Sequence, residues 1–233
     1  MGNANVVGHV FGRLIAFDLD GTIVDSSRDL ADSVNDVLAG YGAAPLSHAA
    51  ITRMVGDGAR VLVGRALAAA GVPEPPDAMS RFLEIYDTRL LNHTRLYDGI
   101  VDVVRAAREH ARVALLTNKP LGPSERVLEG LGITDLFDDV IGGDGPFPRK
   151  PDPAALVALI ERADATPVRA LMIGDSRIDY ETARGASARC CLVEYGFSSH
   201  SFEGLSAGDA WIVPDVPRLA EAIARFVAER SPR

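Results

Sequence analysis

Two short acidic clusters carry the chemistry that this sequence offers: Asp18-Leu19-Asp20-Gly21-Thr22 and Gly174-Asp175-Ser176-Arg177-Ile178-Asp179. Asp18 and Asp20 are two positions apart, so on extended backbone their side chains project to the same side, within reach of one ligand. Clustered anions repel each other, and a hard cation bound through oxygen, such as Mg2+, relieves that repulsion. Solvated loop carboxylates have the same spacing, so the pair alone leaves both readings open. Asp179 falls four residues after Asp175, on the same face if a helix has begun. That pair reads equally as a helix cap followed by an early-turn carboxylate. Thr117-Asn118 offers a hydroxyl and neighbouring amides, and Lys150-Pro151 a cation just ahead of a helix. A phosphate oxygen would accept from Thr117 and pair with Lys150; an ordinary cap and a solvated surface lysine are the plainer alternatives.

The elements that must position these residues can be read from hydrophobic periodicity. Leu14-Ile15-Ala16-Phe17, Val113-Ala114-Leu115-Leu116, Ala170-Leu171-Met172-Ile173 and Cys191-Leu192-Val193 are short apolar runs that each end in polar residues. They read as buried strands emptying into loops. Helical patterns lie between them, at Ile100 to His110, Ser124 to Leu131 and Pro153 to Ala163. This alternation predicts an α/β fold, a parallel sheet with helices on both faces. In such sheets ligands bind beyond the carboxyl ends of the strands, where all the polar residues above would converge. From 25 to 96 the strand signals vanish, and helical periodicity takes over at Asp29 to Tyr41, Ala59 to Ala70 and Asp77 to Asn92. The expected organisation is therefore an α/β core from 1–24 and 97–233 with an inserted helical cap at 25–96, placed to act as a lid. Val72-Pro73-Glu74-Pro75-Pro76 reads as a turn between cap helices.

Composition bounds the partners. The 233 residues are 47% hydrophobic and 24% charged, the balance of a globular protein. Net charge is −8 with scattered Lys and Arg, so a nucleic-acid partner is not expected. An acidic protein that binds an anion needs a local positive centre, from a metal ion or a few placed cations. No apolar stretch reaches the length of a membrane span, and the N-terminus lacks the regions of a signal peptide. Met1-Gly2 opens like a myristoylation signal, but Val6 stands where Ser or Thr is needed. The only cysteines, Cys190 and Cys191, are neighbours on a strand, point to opposite faces and read as small buried residues. A cytoplasmic protein, monomer or homodimer, is the expectation.

The four motifs, in the order Asp18-Leu19-Asp20-Gly21-Thr22, Thr117, Lys150-Pro151 and Gly174-Asp175-Ser176-Arg177-Ile178-Asp179, resemble the haloacid dehalogenase superfamily from about Leu14 to Ala186. The resemblance implies Asp18 as the nucleophile toward phosphorus and Asp20 as the acid-base residue. It implies Mg2+ held by the Asp18 carboxylate, the Asp20 main-chain carbonyl and Asp175, supported by Asp179, with Thr117 and Lys150 gripping the phosphoryl group. Among members, Met54 to Val63, Thr117-Asn118-Lys119-Pro120 and Ile141-Gly142-Gly143-Asp144 resemble bacterial phosphoglycolate phosphatases, which implies a small phosphorylated metabolite as substrate. Gly56 and Gly58 would let backbone amides approach it, or simply form a tight turn. Arg60 or Arg65 would then meet the substrate carboxylate, unless both are solvated. Asn118 joins the expected substrate contacts. A β-phosphoglucomutase-like activity shares every core residue, and a broad sugar-phosphate phosphatase is a further alternative. Tyr180, Arg184 and the Pro-rich run from Asp144 to Arg149 depart from the family's usual pattern and put the exact substrate in doubt.

Overall fold

A computed structural model describes residues 12–205, 208 and 210–229; Met1, Gly2 and Val6, weighed above for targeting, lie outside them. The chain enters through β1 (Leu14–Phe17) and a two-residue strand β2 (Val24–Asp25). It then runs through four helices, α1 (Ser27–Gly40), α2 (His48–Thr52), α3 (Ala59–Ala69) and α4 (Ala78–Asp87). The return is β3 (Arg95–Leu96), antiparallel to β2, so the outgoing and incoming chains are pinned side by side. From there helices and strands alternate: α5 (Ile100–Arg108), β4 (Arg112–Leu116), α6 (Leu121–Gly130), β5 (Asp139–Ile141), α7 (Ala154–Arg162), β6 (Ala170–Gly174), α8 (Arg177–Gly185), β7 (Arg189–Val193), β8 (Trp211–Val213) and α9 (Val216–Ala228).

All six strands of the main sheet are parallel, in the order β5-β4-β1-β6-β7-β8. β1 lies between β4 and β6, and chain connections leave it in opposite directions, which opens a crevice at its carboxyl end. The central strands β4, β1 and β6 are buried on both sides because alternate residues feed two different cores. Ile15, Phe17, Val113, Leu115, Leu171 and Ile173 face one core with α5 and α9, while Leu14, Ala16, Ala114, Ala170 and Met172 face the other with α7 and α8. Cys191 belongs to the first core and Cys190 to the second, both with free thiols.

The sheet is larger than periodicity indicates. β5 and β8 are three residues each, with partly exposed positions, too short for the period to register. α2, of five residues, escapes for the same reason. α6 begins at Leu121 rather than Ser124, because Asp144 accepts the Leu121 amide N–H at 2.7 Å and caps the early start. α4 ends at Asp87 rather than Asn92: Thr88 Oγ1 turns back onto the Ile85 carbonyl and the chain continues in tight turns.

The helices between β2 and β3 pack mainly on one another, α1 against α2, α3 and α4. α1 is tied to the return chain by Asp29, whose buried carboxylate accepts from His93 N, Thr94 N and Thr94 Oγ1. Val72 to Pro76 does connect α3 to α4, and among the described residues no helix is long and apolar enough to cross a membrane.

Candidate active site

Asp18, Thr117 and Asp175 each follow directly on the carboxyl end of β1, β4 and β6, three neighbouring strands. Lys150, from the connection between β5 and α7, reaches into the same place. All four are buried, so burial must be offset by partners. Lys150 Nζ stands 2.9 Å from Asp18 Oδ1 and 2.7 Å from Asp179 Oδ1. Burial acts to lower the Lys150 pKa, but the two carboxylates outweigh it and raise the value, so this lysine stays charged. Burial pushes the Asp18 carboxyl up to about 6, against the pull of Lys150. The Asp175 carboxyl lies well above its ordinary value, first from burial and then from Asp179 and Asp18.

Ser176, rather than Asp175, is the N-cap of α8, and Asp179 serves both this helix and the ion pair with Lys150. Its Oδ2 accepts from Ser176 N and Ser176 Oγ, closing a capping box on α8, while Oδ1 faces Lys150. One oxygen each of Asp18, Asp175 and Asp179 lie within 4.8 Å of one another. Three buried carboxylates face one ammonium there, which leaves two negative charges unbalanced. Asp18 Oδ1 also lacks a well-directed hydrogen bond despite its nearness to Lys150. This all-oxygen donor set fits a hard divalent cation.

The motif glycine follows from the same crowding. Gly21 has φ +85, and a Cβ there would stand 2.3 Å from Asp175 Oδ2. Gly196 also packs closely on Asp175, and the Phe197 N–H holds Asp175 Oδ2 at 2.6 Å. Tyr195 OH donates to the Thr22 carbonyl at 3.0 Å and steadies the loop after β1.

The chain from 13 to 187 matches the family model for haloacid dehalogenase-like hydrolases. The chain belongs to that family. Two relatives, both phosphoglycolate phosphatases, come from Rhodospirillum rubrum (41% identical, covering 84% of this chain and 85% of the relative) and Pseudomonas aeruginosa (40%, covering 80% and 71%). The crystal structure of a predicted phosphoglycolate phosphatase from Haemophilus somnus superposes with a TM-score of 0.82 at 28% identity, over 92% of this chain and 99% of that one.

In this haloacid dehalogenase-like chain Asp20 is separated from the acidic triad. Its carboxylate accepts from Ser26 Oγ at 2.6 Å and from Lys119 Nζ at 3.2 Å. Lys119 is buried and also donates to Tyr86 OH from α4. Burial works to lower its pKa, yet Asp20 and Tyr86 prevail and raise it. Burial holds the Tyr86 hydroxyl protonated, pushed up to about 12. Thr117 Oγ1 accepts from the Lys119 N–H at 3.2 Å, which leaves its own O–H free to donate. Asp20, Tyr86, Thr117 and Lys119 border a cavity of about 50 Å3 between the sheet and the helical insert.

The remaining expected contacts are distributed differently. The Asn118 side chain spends both N–H donors, on Gly56 O and Lys150 O at 3.0 Å each, so it latches the insert to the core. Gly56 and Gly58 border the cavity with φ +127 and +89 just before α3, so the tight turn and the close backbone approach coincide. Arg65 is exposed and bound to Asp57 Oδ2 at 2.5 Å and Met54 O. Arg60 lines a neighbouring depression with Arg126 and Arg149. Tyr180 and Arg184, the unusual pair on α8, stack on each other with the guanidinium 5.7 Å from the ring. Lys119, Tyr86, Ser26 and Gly196 were not singled out from sequence. Lys119 had a signal, since it stands two residues past Thr117 at a strand end; Tyr86 had none.

Proposed function

We propose that the protein is a magnesium-dependent phosphatase that hydrolyses 2-phosphoglycolate to glycolate and phosphate through a phosphoaspartyl intermediate on Asp18. The observation that carries this reading is Asp18 itself, a buried carboxylate bordering the cavity, paired with Lys150 and a member of the cation-fitting triad. The two relatives at 40–41% identity, both phosphoglycolate phosphatases, supply the substrate.

A carboxylate needs no general base to attack, so Asp18 acts directly on phosphorus. The departing alkoxide needs a proton, and Asp20, which borders the same cavity as Asp18, delivers it. Asp20 then takes a proton from the water that opens the phosphoaspartate, and phosphate leaves. Lys150 and the Thr117 hydroxyl hold the phosphoryl oxygens as charge spreads over them. Asp18, Asp175 and the Asp20 main-chain carbonyl would hold Mg2+, with Asp179 in support, and the ion would supply neutralisation of the phosphoryl charge. Residues 25–96 form the cap over a core of 1–24 and 97–233, and the cap excludes water while the acyl phosphate exists.

A phosphomutase or a sugar-phosphate phosphatase must bury a polyol. Here the cap side of the cavity is apolar, with Leu30, Val55, Leu62, Phe82 and Leu83, and the space suits a compact leaving group. The free, buried thiols agree with a cytoplasmic setting, where the protein would act as monomer or homodimer. Phosphate release from a panel of small phosphorylated metabolites, with Mg2+ and with EDTA, tests the reading: 2-phosphoglycolate should lead and EDTA should abolish turnover. Asp18→Asn should remove turnover altogether, and near-normal activity in that variant rules out Asp18 as nucleophile.

A further inference from the structure

Lys119 is a buried cation that the phosphoryl-transfer steps above leave without a task. It borders the cavity, is 6% exposed, and stands 3.2 Å from both oxygens of Asp20. The Tyr86 ring lies 4.5 Å from its ammonium and the Tyr86 hydroxyl accepts from it. Its three N–H donors meet three acceptors, both Asp20 oxygens and the Tyr86 hydroxyl, and because two of them belong to one carboxylate, one Asp20 contact can be exchanged for an incoming acceptor while the ion pair is kept. We propose that Lys119, held in place by Tyr86, is the residue that reads a carboxylate on the leaving group, which makes phosphoesters of short 2-hydroxy acids the preferred substrate class.

The placement follows from bond lengths. Asp20 must touch the ester oxygen in order to protonate it, and Lys119 touches Asp20. In a 2-phospho-carboxylate the carboxyl carbon is only two bonds from that ester oxygen, so its oxygens fall beside the group that contacts Asp20. A cation one hydrogen bond beyond the acid is therefore where the carboxylate arrives. Lys150, the other buried lysine here, is already engaged by Asp18 and Asp179 on the phosphoryl side. The Leu62 and Phe82 side chains, which line the same cavity, offer no partner for additional hydroxyls. Selectivity then has two parts, an attraction for one carboxylate and a penalty for polyols. The cap arginines are not needed: Arg65 is bound to Asp57, and neither it nor Arg60 borders the cavity.

The inference rests on the phosphatase reading, and the test separates the two. kcat/KM is measured with 2-phosphoglycolate and with ethyl phosphate, which keeps the ester and lacks the carboxylate, for the wild type, Lys119→Met and Tyr86→Phe. The wild type should prefer 2-phosphoglycolate. In Lys119→Met the ratio of the two kcat/KM values should fall at least tenfold through a higher KM for 2-phosphoglycolate, and in Tyr86→Phe by about threefold. If the wild type shows no preference for the carboxylate ester, the phosphoglycolate reading fails. If it has the preference and both variants retain it, or lose activity equally on both esters, Lys119 supports Asp20 alone and the inference is overturned. Should Lys119→Met not fold, Tyr86→Phe, which removes one hydroxyl from the cavity wall, decides the matter by the same ratio.

Discussion

Replacing Gly21 by Ala isolates the reason for the glycine between the acidic pair and Thr22. At φ +85 an L side chain costs about 1–2 kcal/mol in backbone strain. The added Cβ would also lie 2.3 Å from Asp175 Oδ2 and 2.7 Å from its Cγ. Asp175 cannot retreat, because Gly196 packs closely on it and the Phe197 N–H holds it. Overpacking of that kind adds about 1–3 kcal/mol. The sum, roughly 2–5 kcal/mol, corresponds to a fall in Tm of about 4–20 °C for a chain of this size. Gly132→Ala is the control: its φ is +67, yet nothing lies within 4 Å of its Cβ, so it incurs the strain alone. The two variants therefore separate crowding from conformation. Magnesium half-saturation of phosphate release should weaken about 10–100-fold in Gly21→Ala and stay unchanged in Gly132→Ala. Equal Tm losses together with an unchanged magnesium requirement in both would refute the claim that Gly21 is there to make room for Asp175.

Two further outcomes follow from buried carboxylates. Asp29→Ala strips the acceptor from two backbone amides and the Thr94 hydroxyl at the cap's return, and should cost on the order of 3 kcal/mol in urea unfolding while leaving KM within about twofold; an unchanged denaturation midpoint would sink it. For Asp18, burial raises the folded carboxyl from 3.8 to about 6, so the folded state holds a proton that the unfolded chain releases. That destabilises the metal-free fold progressively as pH rises from about 4 through 6, and the effect is fully present above 6. Asp18→Asn abolishes it, so in EDTA its Tm minus that of the wild type should grow between pH 4 and 6.5, and a flat difference contradicts the assigned shift.

Asp18, Thr117 and Asp175 were legible because each terminates a strong apolar run, whereas Lys150 was found by its motif alone. Leu14 to Phe17 and Ala170 to Ile173 are buried on both faces, so sequence periodicity and tertiary burial coincide, and the residue after each run has one place to be. β5 and β8 were lost because three residues at a sheet margin do not establish a period. Tyr86 was invisible for a different reason. As one of the apolar positions of α4 it is indistinguishable from Phe82, on which it stacks at 5.4 Å, until the cap docks and its hydroxyl meets Lys119. Arg65 shows the converse: its type and helical position suit an anion, but Asp57, eight residues earlier, reaches it first.

The two buried lysines give two aspartates, two residues apart, separate surroundings that suit them to different parts in the proposed reaction. Lys150 binds Asp18 and Asp179 of the cation-fitting triad, and Lys119 binds Asp20 together with Tyr86 and Ser26 as neighbours. Asp18 thus belongs to a cluster that Lys150 neutralises in part and that fits a divalent cation, and both positive charges would favour the approach of a phosphate to this carboxylate despite their like charge. Asp20 belongs to a group that includes one cation, one hydroxyl donor and one cap tyrosine, and no other carboxylate. Repulsion between the pair is relieved by giving each its own counter-ion rather than by sharing one. The leaving-group side is also the side that the cap completes, through Tyr86, so chemistry at phosphorus is built wholly into the sheet, while discrimination among substrates depends on where the cap closes. Exchange of α4 between relatives should accordingly alter KM ratios among phosphoesters more than it alters the dependence on Asp18.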